Sequence, residues 1–142
     1  GKSVAFITLG DPCVYSTCLY TFRKVKDRGY EAELVPGVPS FCAVAARLGQ
    51  ALCEGSERLP IAPPSHKEVD DCLAVDANLV FMKAGREIGA LKDKLAEAGL
   101  LDRASLVENC GMEGERVYPR FADMEEKSGY FSVVLVKGRG EA

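Results

Sequence analysis

The sequence has no tryptophan, one histidine and few aromatic residues, which make up 8% of its 142 positions. Platforms on which nucleobases stack are therefore scarce. An excess of basic charge is missing too: 18 Lys and Arg face 21 Asp and Glu, for a net charge of −3. Nucleic-acid binders usually carry a basic patch, so no nucleic-acid partner is expected. No block of like charge is long enough to form a tail. No apolar run approaches the roughly eighteen residues of a membrane-crossing helix, so no membrane partner is expected either. The N-terminus lacks the basic-then-apolar pattern of a secretion signal. A cytoplasmic location is the expectation.

Metal motifs are also absent. The six cysteines (Cys13, Cys18, Cys42, Cys53, Cys72 and Cys110) form no CxxC pair, and His66 has no cysteine at finger spacing. Cys18, Cys42 and Cys72 fall among apolar residues in helical stretches, where a free thiol packs as a small hydrophobe. Reduced thiols in a reducing compartment are expected, and no metal. His66 reads as a helix-start residue without catalytic weight.

What is present is ordinary globular composition, 47% hydrophobic and 27% charged. The length allows one domain with a real core or two partial ones. Gly1-Lys2-Ser3 echoes the end of a P-loop, but that loop needs GKS to open a helix, whereas here it precedes an apolar run. The abrupt entry into that run reads as a chain cut or incompletely represented at its start.

Val4 to Leu9 is apolar, rich in β-formers and bounded by Gly10-Asp11-Pro12, which predicts a strand buried on both faces. Tyr15, Cys18, Leu19, Phe22 and Val25 then recur at helical spacing, and Gly29 ends that helix. Ala32 to Val35 predicts a second strand, and Ser40 to Leu48 an apolar, small-residue helix that Gly49 terminates. This alternation is the grammar of a parallel sheet covered by helices. Two strands cannot bury both faces of such a sheet, so further strands are expected to belong with them.

Further on, strands are predicted at Leu59 to Ala62, Asn78 to Lys83, Ser105 to Glu108, Glu115 to Tyr118 and Tyr130 to Lys137. Helices are predicted from His66 to about Leu73 and along the stripe Ile88, Leu91, Leu95 and Ala98, ended by Gly99. The stretch from Gly49 to Pro64 is the candidate boundary, dividing the chain into residues 1–57 and 58–142.

Two loops carry the candidate chemistry. Gly10-Asp11-Pro12 follows one predicted strand and Pro36-Gly37-Val38-Pro39-Ser40 the next. Ligands of open α/β sheets bind outside the carboxyl ends of the strands, and glycine lets them approach the backbone. Either loop alone is explained by helix capping, with Asp11 or Ser40 as the cap. Side by side at one sheet edge, they would line a cleft together.

The stretch Ile7 to Thr17 (ITLGDPCVYST), followed by Glu33 to Gly49 (ELVPGVPSFCAVAARLG), resembles the paired signature of the tetrapyrrole methylase superfamily. YST after GDP, and the PGV-x-SF-x-A pattern, are most similar to its precorrin-2 and cobalt-factor II C20-methyltransferases. NLVFMK (Asn78 to Lys83), LVENCGMEGERV (Leu106 to Val117) and YFSVVLVK (Tyr130 to Lys137) agree less strongly. The resemblance implies an α/β fold: the end of an N-terminal parallel α/β domain with the cofactor loops, then a complete C-terminal α/β domain with a mixed sheet. Family members begin with a strand and a glycine-proline-glycine loop that this sequence does not show, so a C-terminal portion is expected, weakly active or inactive alone.

The resemblance further implies S-adenosylmethionine as cofactor, folded up between two α/β domains, a tetrapyrrole substrate, and a homodimer. Carried over by position, the cofactor contacts are Leu9, Gly10 and Asp11 with Val14 beneath them, Pro39 and Ser40, and Met82 with Cys110 and Gly111 around the adenine. Asp11 and Tyr15 are the candidate catalytic residues, as polarising or orienting groups. Lys83, Arg86, Arg116 and Arg120 follow strand ends and are candidate partners for substrate propionates. Methyl transfer from a sulfonium to an electron-rich meso carbon chiefly requires alignment of donor and acceptor, and neither a Ser-His-Asp set nor a metal. Diphthine synthase and a ribosomal RNA 2′-O-methyltransferase share the GDP loop and remain alternatives, as does a non-catalytic module that binds a nucleotide-like ligand.

Overall fold

The computed structural model describes residues 1–125 and 128–139 of the chain. They form two compact units, which part between Ser40 and Phe41. The division falls ahead of the Gly49 to Pro64 stretch because the segment after α2 (Ser40–Leu48) is tied to the second unit. There the Gln50 amide donates to Ser105 Oγ at 3.3 Å, and the Leu52 carbonyl accepts from Asn78 Nδ2 at 2.8 Å.

The first unit holds one helix, α1 (Cys18–Asp27). Its start lies three residues beyond Tyr15, whose φ of 48° places it in a left-handed turn instead of the helix. Neither Val4 to Leu9 nor Ala32 to Val35 forms a strand, which corrects the sequence expectation. Val4 and Ile7 are each 92% exposed and Val35 is 72% exposed. The physical reason is that a strand is a relation between chains of hydrogen bonds. Apolar β-formers supply the propensity, but residues 1–40 supply no ladder partner to satisfy it.

The second unit is a five-stranded mixed sheet with helices. Its strands are β1 (Ile61–Ala62), β2 (Leu79–Met82), β3 (Ala104–Glu108), β4 (Arg116–Tyr118) and β5 (Ser132–Val136). The spatial order is β1-β2-β5-β3-β4. Among the described residues only β1 and β2 are parallel neighbours; β5 runs antiparallel between β2 and β3. Consequently β2 and β3 point the same way, and their carboxyl ends emerge at one edge of the sheet. The register fixes this: Met82 lies opposite Val133, and Glu108 opposite Ser132.

Every residue of β2, β3 and β5 is buried, the mark of a sheet covered on both faces. One face carries Leu79, Phe81, Leu106, Val134 and Val136 against Val69 and Cys72 of α3 (His66–Leu73) and Ile88, Leu91 and Leu95 of α4 (Ile88–Glu97). Burial of each such side chain contributes about 1.5–3 kcal/mol. Lys92 of α4 adds a polar tie, donating to the carbonyls of Ala122 and Met124 at 2.8 and 2.7 Å.

Helices α1, α2 and α4 end alike. The N–H groups of Gly29, Gly49 and Gly99 each bond back to a carbonyl three residues earlier, and those of Tyr30, Gln50 and Leu100 to one five residues earlier. All three glycines have positive φ, the geometry of a Schellman cap. No helix of the described residues is long and apolar enough to cross a membrane.

Candidate functional site

In the first unit the two glycine loops meet. A Cβ on Gly37 would run into the carbonyl oxygen of Gly10, and one on Gly10 would lie 3.7 Å from the Val38 carbonyl and 3.9 Å from the Ser40 nitrogen. Gly10 itself has φ of 75°, a conformation that side chains rarely adopt. The two backbones approach this closely because Gly37 carries no side chain there; Gly10 is demanded by its positive φ.

Asp11 fastens the pair. Its Oδ2 accepts the Gly37 N–H at 2.9 Å, and its Oδ1 accepts the Cys13 N–H at 2.8 Å. These bonds, Gly37 first, hold its carboxyl below the usual Asp range. Asp11 is therefore not a helix cap, since α1 begins at Cys18. The Ser16 hydroxyl accepts the Cys18 N–H at 3.2 Å instead, and pairs with Thr8 Oγ1 at 3.2 Å. Val14 is half-buried, its N–H on the Asp11 carbonyl at 3.3 Å, while Leu9 and Tyr15 are 70% and 49% exposed. Pro39 and Ser40 are half-buried at the start of α2.

In the second unit the loops after β2 and β3 lie at the same sheet edge, on either side of β5. Adjacent strands sit about 4.8 Å apart, so those loops start about 10 Å from each other. Met82 is buried, and Lys83 turns the chain with φ of 60°. The Lys83 ammonium lies 5.7 Å from the centre of the Tyr130 ring, and Tyr130 meets Phe131 edge-to-face at 5.3 Å. A Cβ on Gly85 would strike the Gly129 carbonyl, so the turn after Lys83 rests on the turn before β5.

Glu108 knits this edge and is missing from the sequence reading. It is 1% exposed; its Oε1 accepts the Gly129 N–H at 3.0 Å and also the Ser128 hydroxyl, and its Oε2 lies 2.6 Å from Arg116 Nε. Arg116 is thus engaged with a buried carboxylate. Arg86 is exposed, and Arg120 lies 3.5 Å from Asp102 and 3.9 Å from Asp123. A charged residue closing an apolar strand (LVE) is the signal that marks Glu108 in the sequence.

The loop after β3 contains Cys110 and Gly111. Asn109 has φ of 48° and Gly111 φ of 72°. Burial pushes the Cys110 thiol up, and the nearby Glu115 carboxylate adds to the effect, so sulfur stays protonated. All six cysteines are free, with Cys18 and Cys72 buried and Cys42 half-buried. Among the described residues no group of three or more His, Cys, Asp or Glu is arranged to hold a metal ion.

Among the described residues, the non-glycine positions with positive φ are Tyr15, Lys83 and Asn109. Each lies in a loop that the sequence marks out for ligand contact. Left-handed backbone at non-glycine residues costs about 1–3 kcal/mol and concentrates at functional sites.

The second unit is an α/β fold whose mixed sheet ends in loops that pass through left-handed residues. Residues 1–124 match the model of the Tetrapyrrole (Corrin/Porphyrin) Methylases, and the chain belongs to that family. It is 33% identical to the cobalt-precorrin-2 C(20)-methyltransferase of Salmonella typhimurium, over 99% of this chain and 61% of that protein. It is 34% identical to the probable cobalt-precorrin-2 C(20)-methyltransferase of Methanocaldococcus jannaschii, over 94% of this chain and 58% of that protein. Among solved structures, uroporphyrin-III C-methyl transferase from Thermus thermophilus complexed with S-adenyl homocysteine superposes with a TM-score of 0.63 at 18% identity, covering 90% of this chain and 62% of that one. The chain thus spans about three fifths of the length of these curated relatives.

Proposed function

We propose that this chain serves S-adenosylmethionine-dependent methyl transfer to C20 of precorrin-2 or cobalt-factor II in cobalamin biosynthesis. The observation that carries the reading is the Gly10–Gly37 cradle fastened by Asp11. Its support comes from relatives bearing C20-methyltransferase names along nearly the whole chain.

The residues present fit such a cofactor. Gly10 carries no Cβ to hold a ligand off its backbone, whereas the Cβ position of Gly37 is filled by the Gly10 carbonyl. Each Asp11 oxygen accepts one N–H and retains acceptor capacity for a donor such as an ammonium or ribose hydroxyl. When bound, S-adenosylmethionine would supply a methyl on a sulfonium, an excellent leaving group. The proposed contacts are Leu9, Gly10, Asp11, Val14, Pro39 and Ser40 in the first unit, and Met82, Cys110 and Gly111 in the second. Asp11 and Tyr15 orient, and Lys83, Arg86 and Arg116 face the propionates, Arg116 in addition to its pairing with Glu108. Preset contacts of this kind lower the barrier by aligning the reactants. A cytoplasmic homodimer completes the proposal.

The test is calorimetry with S-adenosylhomocysteine, followed by incubation with precorrin-2 and methyl-labelled cofactor, both with the full-length protein. Label at C20 in the carbon NMR spectrum is the expected result. A protein that binds the cofactor and methylates only RNA or protein overturns the corrinoid reading. Absence of cofactor binding overturns the methyltransferase reading itself.

A further inference from the structure

The loop from Asn109 to Gly114 leaves the carboxyl end of β3 through three left-handed residues: Asn109, Gly111 and Gly114, with φ of 48°, 72° and 76°. The Met112 N–H reaches the Asn109 carbonyl at 2.8 Å, the Glu115 N–H the Met112 carbonyl at 3.2 Å, and Asn109 Nδ2 the Gly114 carbonyl at 3.3 Å. None of these fixes the direction of the Gly111 N–H. A side chain at the end of the turn does so.

That side chain is Glu115, half-buried just ahead of β4. Its Oε2 accepts the Gly111 N–H at 2.8 Å, and its Oε1 accepts Arg47 Nε at 2.7 Å. Arg47 belongs to the last turn of α2, where a cation also suits the helix C-terminus. One carboxylate thus ties the turn to a helix. The Gly111 and Arg47 bonds accordingly hold the Glu115 carboxyl below its usual range.

We propose that Arg47 and Glu115 form a clamp that presets the Cys110–Gly111 turn for the adenosyl ligand. Arg47 is a positioning residue that acts through Glu115. The inference rests on the reading of Gly111 as a cofactor contact. Arg47 and Glu115 side chains are 53% and 22% exposed. An ion pair so accessible contributes little to global stability. Its consequence is local: it settles where the amide of one glycine points, and a misplaced ligand contact costs affinity without unfolding the protein.

The experiment measures S-adenosylhomocysteine affinity by calorimetry and Gly111 amide exchange by NMR, in the parent protein and in Glu115→Ala, Glu115→Gln, Arg47→Ala and the double alanine variant. Glu115→Ala should weaken binding roughly tenfold, with faster Gly111 exchange and a nearly unchanged melting temperature. Glu115→Gln, which keeps a carbonyl acceptor, should restore most of the affinity. Arg47→Ala should weaken binding severalfold alone and add nothing once Glu115 is alanine, because coupled residues are not additive. Unchanged affinity in Glu115→Ala, or additive losses in the double variant, overturns the clamp. A parent protein that does not bind S-adenosylhomocysteine overturns the cofactor reading and the ligand half of this inference. In that case the exchange rates still decide whether Glu115 holds the turn.

Discussion

The Asp11 carboxylate receives the Gly37 N–H at 2.9 Å, joining positions 26 residues apart in the chain. This bond turns two ordinary loops into one structure, and its protonation state is open to measurement. The folded-state pKa of Asp11 lies below its ordinary value of 3.8. A depressed carboxylate stabilises the fold fully above the unfolded pKa and loses that contribution as pH falls through the folded pKa. Protection of the Gly37 amide from hydrogen exchange should therefore be constant at neutral pH, once intrinsic rates are allowed for, and vanish in acid below 3.8. Asp11→Ala should show the acid behaviour at pH 7. Protection that persists in this variant refutes the role.

Gly37→Ala tests the cradle directly. The new Cβ meets backbone at Gly10, which cannot rotate away as a side-chain tip can. The loops must separate, and S-adenosylhomocysteine affinity should drop at least tenfold, or about 1.4 kcal/mol. Calorimetry on the variant gives the number, and an unchanged constant would mean that the loops part without consequence.

Asn78 is the buried polar bridge of the second unit. Its amide donates to the Leu52 carbonyl and Glu57 Oε2, both at 2.8 Å, and its Oδ1 accepts the Gly138 N–H at 2.8 Å. Asn78→Ala strands these partners, at a cost of about 1–3 kcal/mol. Urea unfolding should show a lower midpoint with little change in slope. A loss within error of zero would mean that water replaces the amide.

Gly89→Ala should act in the opposite direction. Gly89 lies inside α4, its φ is not positive, and a Cβ there would meet nothing within 4 Å. Replacing a helical glycine by alanine in open space stabilises by about 0.5–1 kcal/mol. The same unfolding measurement checks the sign.

How far the sequence could be read depends on what each feature required. Helix α2 is legible at both ends because small apolar residues recur at helical spacing and Gly49 provides the left-handed exit. Strands β1, β2, β3 and β5 are legible within a residue or two, since each is an apolar run closed by turn residues, whereas β4 is short and half-buried. Val4 to Leu9 has the same local signal, yet forms no strand, because pairing is decided by partners and not by propensity. The glycine loops stand out, but Asp11 reads as a cap because its true partner, Gly37, is remote in sequence. Glu108, Arg47 and Glu115 escape notice because isolated charges usually face solvent. Only the folded sheet and helix bring their partners within reach.

The position of β5 has a consequence in time. It is the last strand of the sheet to be synthesised, and it lies between β2 and β3. Until Ser132 to Val136 is made, β2 and β3 lack their common neighbour, so the sheet cannot be completed before its last strand. Such long-range pairing is slow and leaves unpaired edges exposed meanwhile.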